Sequence, residues 1–184
     1  MDATTMFRID GHIVSLRLVN PEDAPFVYLL RTDPALNRFI SPVSGGVDDQ
    51  RAWIEAYKER EARSEEFYFL IEEVGSRKPC GLVRLYELER TQLIWGSWIL
   101  HQDRPRLAAL ESAILSFGFA FETLGRDLCV LNVRRGNQTA IRFYRRFGMK
   151  ETGADKENYY FEYSASDYRA SAPRLREVLK LEAG

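Results

Sequence analysis

Residues 128–153 read LCVLNVRRGNQTAIRFYRRFGMKETG, and the fold turns on this stretch. With Asp127 in front, DLCVLNV is a run of aliphatic and β-branched residues, the composition of a buried strand. Asn137 then stands as the N-cap of an amphipathic helix, NQTAIRFYRRFG, and Gly148 lies just past its end. Two short strand candidates follow, near residues 149–153 and 159–164, before a polar helical tail over 165–184. Strand, helix and strand in such quick succession predict mixed secondary structure around one sheet.

Towards the N-terminus, Leu107, Leu110, Ile114, Phe117, Phe121 and Leu124 recur at spacings of three and four. That places them on one stripe of a helix, which Gly125 closes. Before it come three strand candidates, residues 66–74, 80–88 and 92–100, whose short links favour an antiparallel meander. The loop SPVSGGVDDQ (41–50) leads into a helix through Trp53, Ile54 and Tyr57. An earlier helix opens at Asn20-Pro21-Glu22-Asp23, with its cap, proline and acids in the first turn, and Asp33-Pro34 ends it. Residues 9–19 alternate, with Val14, Leu16 and Leu18 on one face, as a single first strand. The pattern predicts an α+β fold with about seven strands and four or five helices.

The chain has 184 residues, 45% hydrophobic and 29% charged, enough for one domain spanning 1–184, with residues 1–6 read as flexible. Its 26 Lys and Arg against 27 Asp and Glu give a net charge of -1, so no bulk field draws it to nucleic acid or to a membrane surface. The apolar stretches around 92–100 and 110–124 are shorter than the ~20 residues of a spanning helix. MDATTMFRID is not a secretory signal, and a cytoplasmic location is expected. Cys80 and Cys129 sit among apolar neighbours as buried, reduced thiols. His12 and His101 are far apart, so no metal site is expected, and His101 reads as a surface residue. The glycine-rich turns of a nucleotide loop and the histidine of a Ser/His/Asp triad are missing.

Val133, Asn137, Ala140, Tyr144 and Gly148 stand in the spacing V-x3-N-x2-A-x3-Y-x3-G directly after a strand. Asn137, Ala140 and Tyr144 share one helix face and look toward one cleft. The pattern resembles the GCN5-related N-acetyltransferase (GNAT) family, in the branch of ribosomal-protein alanine acetyltransferases and amino-sugar N-acetyltransferases. The resemblance covers most of the chain and implies the GNAT fold, a mixed, mostly antiparallel central sheet. It also implies acetyl-CoA as co-substrate, attacked directly by a primary amine.

In such folds the strand matching Trp95-Gly96-Ser97-Trp98-Ile99 splays from its neighbour and pairs with the pantetheine arm, which assigns Trp98, Ile99 and Leu100 to the cofactor. Backbone amides there polarise the thioester carbonyl. The family's pyrophosphate loop reads Q/R-x-x-G-x-G/A. Here Arg104, Pro105, Arg106, Leu107, Ala108 and Ala109 keep the Arg and the final Ala, and Leu107 replaces the central glycine. Arg104, Arg106, Leu107, Ala108, Ala109, Asn137 and Ala140 are thus the remaining cofactor candidates, and Arg134, Arg135, Arg142, Arg145 and Arg146 read either as a solvated basic face or as a face from which one or two meet the 3′-phosphate of CoA.

Tyr144 is the expected general acid toward the departing thiolate. The stretch 92–95 lacks the glutamate many members carry, so Glu87, Glu89 or a water relay is left as base. Trp95 and Trp98 are expected on opposite faces of their strand, and Glu111 is expected only to complement its helix dipole. The acceptor reads first as a nucleotide-linked amino sugar, then as a protein N-terminus of the ribosomal-protein type, then as a small amine such as a polyamine. The competing reading is a catalytically weak acyl-CoA-binding domain. A monomer or a homodimer is compatible with all of these.

Overall fold

The computed structural model describes residues 7–183 and, within them, the side chains of residues 7–180. Residues 1–6, read as flexible, lie outside the described residues. The sheet has eight strands in the order β1-β2-β3-β4-β5-β6-β8-β7. They are β1 (Arg8–Asp10), β2 (Val14–Leu18), β3 (Phe67–Glu73), β4 (Pro79–Tyr86), β5 (Gln92–Leu100), β6 (Leu128–Arg134), β7 (Lys150–Ala154) and β8 (Asn158–Ser164). Every neighbouring pair is antiparallel except β5 with β6. Five α-helices accompany the sheet: α1 (Ala24–Thr32), α2 (Val47–Ala62), α3 (Ala108–Gly118), α4 (Gln138–Phe147) and α5 (Ala165–Ala183).

Eight strands rather than seven arise because residues 9–19 do not run straight. They fold into the β1–β2 hairpin, in which Ile9 pairs with Leu16. The cause lies 97 to 99 residues away. Glu111 on α3, only 2% exposed, accepts the backbone N–H groups of His12, Ile13 and Val14 at 2.6–2.7 Å. A buried carboxylate with three donors holds the turn, so Glu111 does more than complement a dipole.

Two cores form, one on each face. Val14, Leu16, Phe69, Ile71, Val83, Leu85, Leu93 and Trp95 point toward α3, α4 and α5, while Tyr68, Leu70, Leu82 and Ile99 point toward α1 and α2. The helix predicted as one stripe stops at Gly118 and continues as a π-helical turn, Phe119–Thr123. Its buried face is also wider than that stripe, taking in Ser112, Ser116 and Gly118. Trp98 and Trp95 of β5 cover Ser112 and Ser116, while Gly118 meets Tyr168 of α5, the expected polar tail, which buries Tyr168, Ala172, Leu175 and Leu179 at spacings of four, three and four in the same core as α3.

Candidate active site

β5 and β6 pair for three residues only, Gln92 with Leu128, Leu93 with Cys129 and Ile94 with Val130. Beyond Ile94, β5 pairs with β4 through Trp95, Gly96, Ile99 and Leu100, and no further pair joins it to β6. The two strands part there, and a cleft of about 220 Å³ opens between residues 95–98 and 132–134.

A bulge shapes the β5 wall. Between Gly96 and Ile99, opposite Arg84 and Leu82, β5 carries one residue more than β4, and Ser97 takes φ +47. The extra residue turns Trp98 onto the same face as Trp95, correcting the expectation of opposite faces. Their ring centroids lie 5.2 Å apart, and the two indoles donate to Ser116 Oγ (Trp95, 2.9 Å) and Ser112 Oγ (Trp98, 3.2 Å), one turn apart on α3. The side chain of Ile99 consequently packs with α1 and α2, leaving its backbone to the strand edge.

The opposite wall is α4. Asn137 caps it, its Oδ1 accepting the N–H of Ala140 at 3.1 Å. Tyr144 lines the cleft and is 6% exposed, with Trp95, Trp98, Phe143 and Phe161 packed around its ring. Burial pushes its phenol above the ordinary value, so it stays protonated at neutral pH.

Of the residues singled out in the sequence, Trp95, Trp98, Val133, Arg134, Asn137 and Tyr144 line this cleft. Ala140 packs against the core instead. Ile99 and Leu100 continue the β5 wall. Arg104, Arg106, Leu107, Ala108 and Ala109 form the turn that follows and the start of α3, where Arg104 donates to the His101 carbonyl at 3.1 Å and Ala108 N–H to that of Pro105. Leu107 takes φ +68, the left-handed backbone that favours glycine, at the position where the resemblance expects one. Glu87 and Glu89 lie exposed beyond the end of β4 and do not line the cleft. The lining holds neither a carboxylate nor an imidazole among the described residues. Of the basic face, Arg134 pairs with Glu157 at 2.8 Å, Arg145 pairs with Glu151 at 2.7 Å, and Arg135 lies over the Tyr159 ring.

Other lining residues gave less warning. Phe39, Ile40 and Ser41 form a roof that touches the α4 entry, since a Cβ on Gly136 would meet Phe39 at 3.0 Å. Tyr86 reaches in from β4 and Asn158 from β8. Asn132 had a legible signal, as the lone amide in an otherwise apolar strand.

An acetyltransferase (GNAT) domain family matches residues 14–150. No protein of curated function matches the chain by sequence. Among solved structures, apo FdhC, described as a nucleotide-linked sugar GNAT, is 35% identical over 92% of this chain and 96% of its own, with a TM-score of 0.84. The ribosomal-protein-S5-alanine acetyltransferase of Vibrio fischeri is 14% identical over 88% of this chain and 98% of its own, with a TM-score of 0.76. The spermidine N-acetyltransferase of Vibrio cholerae in complex with CoA and spermine is 18% identical over 86% and 99%, with a TM-score of 0.74. The last two share the fold.

Proposed function

The chain belongs to the GNAT acetyltransferase family, and from that premise we propose that it acetylates the primary amine of a nucleotide-linked amino sugar. The observation that carries the transfer is the splay after Ile94, which leaves one edge of β5 unpaired beside the buried phenol of Tyr144. The acceptor rests on the 35% identity to FdhC, a nucleotide-linked sugar GNAT.

The residues fit acetyl-CoA. The free edge of β5 at Trp98, Ile99 and Leu100 suits an extended pantetheine arm, which adds to a sheet edge as another strand would. The first N–H groups of α3, at Ala108 and Ala109, suit a diphosphate, and Arg104 and Arg106 add charge there. Leu107 supports the same route, since its left-handed backbone is one that a glycine adopts freely. Asn137 and Ala140 set the start of α4 against this arm.

When bound, acetyl-CoA supplies an acetyl thioester. Amide N–H groups on the β5 edge polarise its carbonyl, and Tyr144 donates a proton to the leaving thiolate. With neither carboxylate nor imidazole lining the cleft, the amine proton leaves through water held by Ser97, Asn132 and Asn158.

Thermal melts test the binding step. A ligand that binds only the native state adds roughly 2.7 kcal/mol at a hundredfold excess over Kd, so acetyl-CoA raises the Tm. A panel of nucleotide-linked amino sugars, N-terminal alanine peptides and polyamines then tests the acceptor. Acetylation of the sugars is expected. No Tm shift and no heat of binding at millimolar acetyl-CoA would overturn the reading.

A further inference from the structure

A second cavity, of about 370 Å³, lies beneath residues 42–46 on the α1–α2 side of the sheet. Its walls bring together Tyr28 and Arg31 from α1, Asp49, Gln50 and Trp53 from α2, and Arg84 from β4. Two of its polar atoms are buried with no hydrogen-bond partner among the described residues: Arg31 Nε, a donor, and Gln50 Oε1, an acceptor on a side chain 4% exposed. The Tyr68 hydroxyl, fully buried, lies against the Arg31 guanidinium and near the charge of Arg84. A buried donor and a buried acceptor left unpaired are costly, and folds rarely gather both in one cavity without a reason.

The charge around the cavity has a sign. Arg84 donates to Glu66 at 2.5 Å, but Glu66 also accepts from Arg60 at 3.0 Å, so one carboxylate serves two guanidiniums. Arg31 has no carboxylate partner among the described residues and donates to the Ser41 carbonyl at 3.2 Å. Asp49, the acid in the lining, is engaged by the Gly46 N–H at 2.7 Å. The lining itself carries Arg31 and Arg84 against Asp49, and the excess is positive.

The cavity lies beside the cleft. Residues 39–41 roof the cleft and residues 42–46 roof the cavity, one unbroken segment. Below them, the Arg84 guanidinium of the cavity stacks on the Tyr86 ring of the cleft at 4.6 Å.

We propose that this cavity is the subsite for the diphosphate of the acceptor and the sugar beside it, with Arg31 and Arg84 as its anion-binding residues and Gln50 Oε1 accepting from a sugar hydroxyl of the ligand. The inference rests on the nucleotide-linked acceptor proposed above and adds to it where the nucleotide is held. A guanidinium with a free Nε–H suits a phosphate oxygen, and a neutral amine acceptor would have no use for it.

The test is calorimetry on protein saturated with CoA, so that CoA's own phosphate site is filled, with UDP, dTDP and uridine as probes. UDP or dTDP is expected to bind, and uridine at least about tenfold more weakly. Arg31→Met should weaken UDP by about tenfold or more, the loss of one charge-assisted hydrogen bond, with Arg31→Lys in between. Gln50→Met, which keeps the side-chain volume, should also weaken it and serves if Arg31→Met fails to fold. Absence of binding by both UDP and dTDP, binding only without CoA, or equal binding in wild type and variants would overturn the subsite. If UDP binding depends on Arg31 but nucleotide-linked amino sugars are not acetylated, the acceptor reading fails while the subsite stands.

Discussion

On the α4 side of the cleft, Tyr144 is fixed by packing, with the rings of Trp95, Trp98, Phe143 and Phe161 at 5.5–6.3 Å. On the side where β5 runs into α3, residues 104–109 depend on backbone conformation, with Leu107 at φ +68 and a turn closed by Ala108 N–H on the Pro105 carbonyl at 3.1 Å. The difference separates chemistry from geometry. In the packed wall, the Tyr144 hydroxyl can be deleted while the shape stays; in the loop, the conformation at Leu107 is set by the backbone, and its side chain can be deleted while the turn stays.

The packed wall makes the largest prediction. Tyr144→Phe keeps the ring and its neighbours, so Tm and acetyl-CoA affinity should hold while turnover falls by ~10²- to 10⁴-fold, in kcat and kcat/KM alike. A changed Tm with nearly normal turnover would make Tyr144 a packing residue and erase the contrast. Next is Asn137→Ala, which removes the cap on Ala140 N–H and should cost about 1 kcal/mol. Calorimetric melting should record this as a drop of roughly 2–4 °C.

Leu107→Gly probes the loop wall. Relief of the left-handed backbone returns about 1–2 kcal/mol, while a more flexible unfolded chain takes back about 0.4–1 and lost packing offsets more. Denaturant unfolding should therefore show a change within about 1 kcal/mol, with acetyl-CoA bound equally or more tightly. A large loss of affinity with the fold intact would mean that the loop takes another path to the phosphates.

The smallest effect expected is a flat line. Burial raises the Tyr144 pKa, so its proton, and with it the acid form, persists through the ordinary phenol value near about 10. A kcat profile between about pH 8 and pH 10 should show no falling limb from this group. A limb that vanishes in Tyr144→Phe would place the phenol in a wetter setting than the four rings provide.

What was legible in the sequence follows the same division. Local periods gave β3 to β8, and the Asn137, Ala140 and Tyr144 spacing gave α4 with its cap and phenol. Features set by distant partners were hidden. The β1–β2 turn depends on Glu111, about a hundred residues on, and the Ser97 bulge brings Trp98 beside Trp95 where strict alternation separates them. The Arg31, Gln50 and Arg84 cavity draws on three elements and leaves no pattern in any one of them. The cover that α5 gives α3 was readable from Tyr168, Ala172, Leu175 and Leu179, but the charged residues between them mask it.

The central claim is that the opening between β5 and β6 is where acetyl-CoA is held for transfer. A crystal structure of the chain with CoA tests it most directly. The account predicts the pantetheine arm paired along the β5 edge at residues 98–100, the diphosphate at the start of α3, and the sulfur within hydrogen-bond reach of the Tyr144 hydroxyl. CoA bound elsewhere, or a sulfur remote from Tyr144 with β5 and β6 closed over the cleft, would contradict it.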